Sequence, residues 1–208
     1  SFENPCLSEA ELLAAKDCAA KKEWDEPINL LFAGRLEAAK GVSHLLEALS
    51  QLDHLDGLGR ITLVGDGPMR AQFEAMAQNI NADIRFCGYV SRAELNRHYA
   101  ETHLFLLPST AAEGFPKVLA EAAAYGCVPI TSSVSSIGQY LKNGENAWIL
   151  DPETLSPTQL ATCIQSAFKD RNQLKRMSSQ VQNLAQQHTY TRFVERITTL
   201  LQNSPHKS

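Results

Sequence analysis

Three short segments of this chain set charged side chains beside glycine or proline, and each segment follows an apolar run. The first contains Gly34-Arg35 and Lys40-Gly41. Lys40 stands at the start of a predicted helix, where a cation opposes the helix dipole at a cost of roughly a few tenths of a kcal/mol. An anion held by backbone N–H groups and by both cations would offset that cost. This segment therefore indicates a phosphate site, and the alternative is a solvated pair in which Arg35 bonds Glu37 or a loop carbonyl.

The second segment, from Pro108 to Glu121, holds two carboxylates at a defined spacing. Gly114 permits unusual backbone angles and Pro116 pre-sets the first turn of a helix, which leaves Glu113 in the loop before it. Glu121 then lies within a helix of small apolar residues, where a buried carboxylate needs a partner. A ribose diol is a natural partner, because a carboxylate accepts hydrogen bonds from both hydroxyls. The alternative for Glu121 is an ordinary salt bridge.

The third segment, Gly65-Asp66-Gly67-Pro68, is similar to a dinucleotide-binding glycine fingerprint, but Arg70 occupies the third glycine position. We interpret the segment as a tight turn with Pro68 at the first helical position. A nicotinamide-dependent oxidoreductase would carry its glycines after the first strand and an acidic residue at the end of the second. The sequence therefore disfavours that class of enzyme.

The apolar runs that position these segments are short, and several are continuous, which is typical of parallel strands covered on both faces. We predict six strands, at residues 28–33, 60–64, 83–87, 103–107, 128–131 and 147–150. Helical periodicity predicts helices between them, at 42–52, 69–79, 92–100, 117–125 and 137–142. This alternation predicts an α/β fold with a doubly wound, Rossmann-like parallel sheet. Ligands bind such sheets outside the carboxyl ends of the strands, where the three segments lie.

The regions on either side of this alternation are predicted to be helical. Ser8 and Glu11 have the spacing of a capping box, which predicts a leading helix at 9–22. After Asp151-Pro152 three helices are predicted, at 157–170, 171–187 and 190–202. We therefore divide the chain into a leading helix and linker (1–27), a Rossmann-like domain (28–170), C-terminal helices that pack on it (171–202) and a frayed tail (203–208).

Composition and charge limit the class of protein. The 208 residues carry a net charge of −4, which argues against nucleic acid or an anionic membrane as the main partner. The five cysteines are odd in number, widely spaced and without a C-x-x-C pair, so we expect reduced thiols and a cytoplasmic location. No apolar run approaches the roughly 18 residues of a membrane span. The start of the chain has neither a basic n-region nor an apolar h-region, so we expect no signal peptide.

Several patterns of metal binding and catalysis are missing from the sequence. The six histidines form neither H-E-x-x-H nor any i, i+4 pair, so we expect no zinc site. The G-x-S-x-G motif and the P-loop order G-x-x-x-x-G-K-[ST] do not occur. No D-x-D occurs either, so metal-dependent binding through paired aspartates has no support.

Taken in order, the segments resemble the C-terminal, donor-binding half of a family 4 retaining glycosyltransferase with the GT-B fold. Gly34-Arg35…Lys40-Gly41 matches the family's G-R-x-x-x-x-K-G, and Gly65-Asp66-Gly67-Pro68 matches its G-x-G-P turn. Phe86-Cys87-Gly88-Tyr89-Val90 and Leu107-Pro108-Ser109 match two strand ends. Glu113 and Glu121 match the E-x7-E motif. The resemblance spans roughly residues 28 to 152 and implies one half of a GT-B fold.

The resemblance implies catalytic roles for three residues. Arg35 and Lys40, next to Gly34, would hold the donor diphosphate and stabilise it as a leaving group. Glu113 would contact hydroxyls of the transferred sugar. No metal and no prosthetic group would be required, because two cations and a helix dipole would neutralise the developing charge.

The resemblance also implies how the nucleotide is bound. Tyr89 and Val90 would flank the base, and Glu121 would contact the ribose hydroxyls. Backbone amides of the segment Gly114-Phe115-Pro116-Lys117-Val118 would face sugar and phosphate at a helix N-terminus. Pro116 replaces the second glycine of the family's usual Gly-Phe-Gly and removes one N–H donor, so the amide contacts must come from Lys117 or Val118.

The reaction and the partners follow from the same resemblance. A sugar would pass from a nucleoside-diphosphate sugar to a glycan, a lipid-linked or another acceptor, with retention of anomeric configuration. The GT-B fold has two Rossmann-like domains, so an N-terminal acceptor-binding domain is expected beyond this chain, and the chain alone would be poorly active. Peripheral association with the inner face of a membrane would run through that domain. The alternative is a non-catalytic nucleotide-binding module that needs a partner chain.

Overall fold

The computed structural model describes residues 5–25, 27–52, 56–111, 114–134 and 136–202. Two of the features predicted from sequence, the loop residue Glu113 and the 203–208 tail, lie outside the described residues. The remaining predicted site residues are all within them.

The described residues form one parallel sheet of six strands. The strands are β1 (Ile28–Ala33), β2 (Leu58–Val64), β3 (Ile84–Gly88), β4 (Leu104–Leu107), β5 (Val128–Ser132) and β6 (Trp148–Leu150). Their spatial order is β3-β2-β1-β4-β5-β6, and every neighbouring pair is parallel. The order therefore reverses direction between β1 and β4, which is the switch point where open parallel sheets bind ligands. The predicted α/β class and doubly wound, Rossmann-like sheet are confirmed.

Helices cover both faces of this sheet. In the described part they are α1 (Glu9–Ala20), α2 (Val42–Ser50), α3 (Arg70–Ala77), α4 (Arg92–Glu101), α5 (Lys117–Ala124), α6 (Ile137–Tyr140), α7 (Pro157–Lys169), α8 (Arg171–Gln186) and α9 (Tyr190–Gln202). Because helices lie on both sides, β1, β4 and β5 are almost wholly buried and need continuous apolar sequence. The edge strand β3 is half-exposed, which agrees with its mixed sequence.

Two local predictions need correction. Pro68 is not the first helical position, because α3 begins at Arg70 after a turn. Leu36, in the loop after β1, stabilises this turn through two backbone hydrogen bonds. The Leu36 N–H donates to the Asp66 carbonyl (2.9 Å), and the Met69 N–H donates to the Leu36 carbonyl (3.1 Å). Lys40 does not start α2 but ends a 3-10 turn (Ala38–Lys40) before it.

The flanking helices share the core of the sheet. The predicted capping box of α1 is present, with the Glu11 N–H donating to Ser8 Oγ and the Ser8 N–H to the Glu11 carboxylate. Leu12 and Ala15 of α1 belong to the same buried cluster as the strands, and α8 packs against α5. By contrast, α9 has no fully buried residue. The limits of the domain division remain a prediction.

A short backbone pairing joins residues 6–7 to residues 188–190, close to the start of α5. The Cys6 N–H donates to the His188 carbonyl (2.9 Å), and the Tyr190 N–H donates to the Leu7 carbonyl (3.0 Å). The Cys6 thiol also points at the Lys117 carbonyl, at 3.8 Å. Sequence positions that are more than 180 residues apart therefore meet beside the first turn of α5.

Two further expectations concern membranes and thiols. No helix within the described ranges has both the length and the apolar character that crossing a bilayer requires. All five cysteines carry free thiols, as the sequence predicted.

Candidate functional site

A cavity of about 340 Å³ lies at the carboxyl ends of β1 and β4, where the strand order reverses. Seven of the site residues predicted from sequence line it: Gly34, Arg35, Lys40, Gly114, Pro116, Lys117 and Val118. A larger cavity of about 760 Å³ lies at the amino ends of the strands, between Asn29, Arg60 and His103. We place the functional site in the smaller cavity, because ligands of open parallel sheets bind beyond the carboxyl ends.

Backbone contacts tie the β1 loop to the loop after β4. The Thr110 N–H and the Ser109 hydroxyl both donate to the Ala39 carbonyl, at 2.9 and 3.0 Å. Gly41 has a φ of 73°, and a Cβ at this position would overlap the Pro108 carbonyl oxygen. Glycine is therefore required where the two loops meet. This contact brings Lys40 to the same cavity as the start of α5.

The Arg35 guanidinium lies at the mouth of the cavity. Its Nε is 3.1 Å from Glu37 Oε2, and the side chain is 65% exposed. The solvated pair that the sequence left as an alternative is therefore present in the structure. Exposed pairs of this kind contribute at most about 1 kcal/mol, so an anion of higher charge can displace Glu37.

The first turn of α5 presents backbone N–H groups to the cavity. The helix begins at Lys117, and Pro116 at the N-cap position provides no side-chain hydrogen bond to it. The first N–H groups of a helix have no partner within the helix and attract anions. Lys117 and Val118 line the cavity, and the predicted contact of their amides with a ligand stays a prediction. Two cations and a helix N-terminus thus converge on one space.

Gly114 begins the described range 114–134 and lines the cavity. Apart from its chain neighbours, no atom of the described residues lies within 4 Å of the position that a Cβ would take. The described part of the chain therefore leaves space at this point of the cavity wall. The unusual backbone angles expected of Gly114 stay a prediction.

Phe115 is fixed by an aromatic cluster that the sequence did not predict. Its ring stacks on His188 at a centroid distance of 4.3 Å, and Tyr140 packs edge-on against both rings. His188 Nδ1 donates to the Leu184 carbonyl (3.0 Å), and Nε2 has no hydrogen-bond partner among the residues that the structure describes. Burial lowers the pKa of His188, so the ring is neutral at neutral pH. The sequence offered no signal for this contact, because a lone histidine after a helix is common.

Glu121 is almost fully buried, and its carboxylate is already paired. Arg92 Nη1 donates to Oε1 (2.5 Å), and the Tyr99 hydroxyl donates to Oε2 (3.2 Å). The salt bridge that the sequence left open is therefore present, and Glu121 does not line the cavity. Its contact with a ribose stays a prediction. Arg92 could have been found from sequence, because it is a cation at a helix N-terminus, which was the signal used for Lys40.

Tyr89 and Val90 follow β3 at the same edge of the sheet, outside the cavity lining. The Tyr89 side chain is 81% exposed, and Val90 is half-buried against the core. An exposed aromatic ring on a loop is available to a flat ligand. Their predicted contact with a base is compatible with these positions and stays a prediction.

No group of three or more His, Cys, Asp or Glu side chains with the arrangement of a metal site occurs in the part of the chain that the structure describes.

Comparison with known proteins identifies a family. A family model described as "Glycosyl transferases group 1" matches residues 16–184. Among curated proteins, the amylovoran biosynthesis glycosyltransferase AmsK of Erwinia amylovora is 30% identical over 131 residues, which cover 60% of this chain and 32% of AmsK. Glycogen synthase of Mycobacterium tuberculosis is 29% identical over 154 residues, covering 73% of this chain and 36% of the synthase. The chain thus spans about a third of the length of these relatives.

Solved structures share the fold at low sequence identity. The pneumococcal O-GlcNAc transferase GtfA, solved in complex with UDP and GlcNAc, has a TM-score of 0.76 and 19% identity, covering 99% of this chain and 39% of GtfA. The catalytic domain of cholesterol-α-glucosyltransferase from Helicobacter pylori has a TM-score of 0.68 and 20% identity, covering 78% of this chain and 99% of that domain. These matches agree with the Rossmann-like half of a GT-B fold.

Proposed function

The chain belongs to the group 1 glycosyl transferases, and on that premise we propose that it is the donor-binding half of a family 4 glycosyltransferase that retains anomeric configuration. Its substrate is a nucleoside-diphosphate sugar, and the acceptor is a glycan, a lipid-linked or another hydroxyl compound. The acceptor is bound by an N-terminal domain beyond this chain. The odd, widely spaced set of cysteines supports a cytoplasmic location.

One observation carries this proposal. Arg35, Lys40 and the first turn of α5 surround one cavity at the switch point of the sheet. Two cations and a helix N-terminus together suit a ligand with two adjacent negative charges, which a diphosphate provides. At Gly114 the described residues leave space in the other wall, which supports a ligand larger than phosphate.

In the proposed reaction these groups act on the leaving diphosphate. Negative charge grows on the bridging oxygen as the bond to the anomeric carbon breaks. Arg35, Lys40 and the amides of Lys117 and Val118 stabilise that charge from fixed positions. Glu113 contacts hydroxyls of the sugar, Glu121 the ribose, and Tyr89 with Val90 the base.

We propose that no metal takes part in donor binding, since the protein supplies the cations. The expected result is that EDTA leaves the affinity for the nucleoside diphosphate unchanged. A dependence on added Mg²⁺ or Mn²⁺ would contradict this part of the proposal.

Nucleotide titration of the chain tests the proposal. Ligand at three times its Kd adds about 0.8 kcal/mol of stability. That is a rise in unfolding midpoint of roughly 2–3 °C for a chain of this size. We expect such a shift with one of UDP, GDP or ADP and none with NAD.

A matched pair of variants shows whether the shift comes from the cavity. Arg35→Ala should weaken binding by at least about tenfold, because a charged hydrogen bond to the diphosphate is lost. Arg85→Ala removes a comparably exposed arginine from the edge strand β3 and should leave the affinity unchanged. No shift with any diphosphate at millimolar concentration, or equal losses in both variants, would contradict a donor site here.

The catalytic and the non-catalytic proposals differ in what the longer protein does. A complete two-domain enzyme should transfer sugar and give a product with the donor's anomeric configuration, which NMR of the product measures. A non-catalytic nucleotide-binding module would bind the diphosphate as tightly as the enzyme does. It would neither hydrolyse the nucleotide sugar nor transfer its sugar, even when joined to its partner domain.

A further inference from the structure

The Arg92 guanidinium is held between three parts of the chain. It begins α4, two residues after Val90. One nitrogen, Nη1, donates to Glu121 Oε1 at 2.5 Å. The other, Nη2, donates to the Cys6 carbonyl at 3.3 Å and lies 3.7 Å from Glu11 Oε1. With the guanidinium fixed on both sides, the position of Glu121 Oε1 is fixed as well.

A second group of α4 fixes the other carboxylate oxygen. The Tyr99 hydroxyl donates to Glu121 Oε2 at 3.2 Å, and the Tyr99 side chain is fully buried. Burial, and then the charge of Glu121, raise the pKa of Tyr99 well above its usual value, so the hydroxyl remains a donor. Each oxygen of Glu121 thus receives one hydrogen bond from α4.

The carboxylate retains acceptor capacity after these contacts. An ionised carboxylate has about four lone-pair sites, two on each oxygen. Arg92 and Tyr99 use one site on each, so one site on each oxygen remains. Two acceptor sites on a fixed carboxylate match two adjacent hydroxyl donors.

The position of Glu121 on α5 also suits a contact with the ribose of a nucleotide whose diphosphate lies in the cavity. It follows Lys117, which lines the cavity, by four residues on α5, so both lie on the same helix face. Its partner Arg92 lies next to the segment proposed to flank the base. The pair therefore joins α5, whose first turn carries proposed diphosphate contacts, to the start of α4, which directly follows the segment proposed to flank the base.

We infer that Arg92 is a positioning residue for the nucleotide site: it holds the Glu121 carboxylate in an orientation in which its two open acceptor sites receive the ribose 2′- and 3′-hydroxyls. This inference rests on the proposed donor-binding function and adds to it. Arg92 acts through Glu121 and makes no contact with the nucleotide.

The test compares a nucleoside diphosphate with its 2′,3′-dideoxy analogue by calorimetric titration, using whichever of UDP, GDP or ADP the chain binds. The dideoxy analogue lacks the 2′- and 3′-hydroxyls, so its affinity reports every contact of the nucleotide except the proposed one with Glu121. The wild-type chain should bind the ribonucleotide more tightly than the analogue. Arg92→Gln should reduce ribonucleotide affinity by roughly tenfold, the value of a charged hydrogen bond, and leave the affinity for the analogue unchanged.

Two further variants serve as controls. Arg92→Lys keeps a cation near Glu121 without the planar fork and should restore part of the lost affinity. Arg97→Gln changes an exposed arginine on the same helix and should bind both nucleotides as the wild type does. Removal of Arg92 leaves a buried carboxylate without its cation, so thermal unfolding is measured for each variant. The affinity for the dideoxy analogue itself reports whether the site is intact.

The outcomes separate this inference from the proposed function. If the wild-type chain binds no nucleoside diphosphate, the donor-site proposal fails. If it binds the ribonucleotide and the analogue equally, the donor site stands and the inference is wrong. If Arg92→Gln lost affinity for the ribonucleotide and for the analogue equally, Arg92 would have a purely structural role. If the variant bound the ribonucleotide more tightly, Arg92 would compete with the ribose for Glu121. Either result overturns the inference.

Discussion

At the level of single residues, Gly114 and Gly67 differ in the space that an added side chain would find. A Cβ at Gly114 would have no atom of the described residues beyond its chain neighbours within 4 Å, and Gly114 lines the cavity. We therefore expect Gly114→Val to leave the urea unfolding midpoint unchanged. The same variant should weaken nucleoside diphosphate binding by about tenfold, since the added methyl groups occupy space meant for the ligand.

Gly67→Ala is the contrasting variant. Its Cβ would overlap the backbone of Leu36, which belongs to the β1 loop. Overpacking of this kind costs about 1–3 kcal/mol, so the unfolding midpoint should fall. If Gly114→Val destabilised the fold as much as Gly67→Ala, Gly114 would be structural and the open wall of the cavity would have no functional meaning.

Residue types that are unusual for their place led from the sequence to two residues of the cavity wall. Arg35 and Lys40 are cations at a strand end before a helix, and both line the cavity. The pairing of Glu121 with Arg92 was not predicted, because the two residues are 29 positions apart. His188 was missed for the same reason, since its contact with Phe115 exists only in three dimensions.

At the scale of elements, Lys22 connects the ends of two helices. Its ammonium donates to the carbonyls of Thr102, just after α4, and of Tyr125, just after α5, the latter at 2.8 Å. Burial lowers the pKa of Lys22. A cation at helix C-termini is favourable, because the carbonyls there carry partial negative charge.

Lys22→Met should therefore destabilise the protein. The carbonyls of two helix ends would be left without this donor, which we expect to cost about 1–3 kcal/mol in chemical unfolding. Lys21→Met, at the adjacent exposed position, is the matched control and should change stability by less than about 0.5 kcal/mol. Similar values for both variants would show that the buried ammonium contributes nothing to the two helix ends.

Element boundaries were predictable where a local signal marks them. The capping residues Ser8, Ser91 and Ser156 each stand immediately before a helix in the structure. The start of α3 was misplaced because Leu36, in another loop, holds the preceding turn through two backbone hydrogen bonds. The residues of the turn alone do not indicate these hydrogen bonds with Leu36.

At the scale of the whole molecule, His103 makes stability depend on pH. The Asn29 N–H donates to His103 Nδ1 (3.0 Å), and Nε2 bonds the Glu23 carbonyl (2.8 Å), so the buried ring fits its neutral form. Burial lowers the pKa of His103 from 6.5 to about 4. Between these values the unfolded chain binds a proton that the folded chain does not, so stability is full above pH 6.5 and falls towards pH 4.

The free energy of unfolding should fall by up to about 3 kcal/mol at pH 4 because of His103, since each unit by which its pKa is lowered corresponds to about 1.36 kcal/mol. His103→Gln cannot titrate, so its stability should fall less steeply over the same range in urea unfolding at several pH values. His188 shifts in the same direction and is present in both proteins, so the comparison isolates His103. Parallel pH profiles would contradict the assignment.

The α/β class followed from the alternation of apolar runs and helical periods, whereas the order of the strands did not. Periodicity reveals which segments are strands, but the choice of neighbours depends on how helices such as α2 and α5 cover the two faces. The reversal between β1 and β4 places the cavity, and it was expected only through resemblance to a known family. The fold class is therefore the part that the sequence pattern predicts by itself, whereas the strand order at the cavity required the family motifs as well.

The pairing of residues 6–7 with residues 188–190 has a consequence for synthesis on the ribosome. The first turn of α5 borders on Cys6, and Phe115 rests on His188, so the walls of the cavity depend on a segment made some 70 residues later. The sheet can form as soon as β6 has emerged, but the segment before α5 that lines the cavity acquires its support only when residue 190 has left the exit tunnel. A nascent chain halted before α8 would therefore have a folded sheet and an unfinished cavity. Nucleotide binding should appear late and abruptly as translation passes that point.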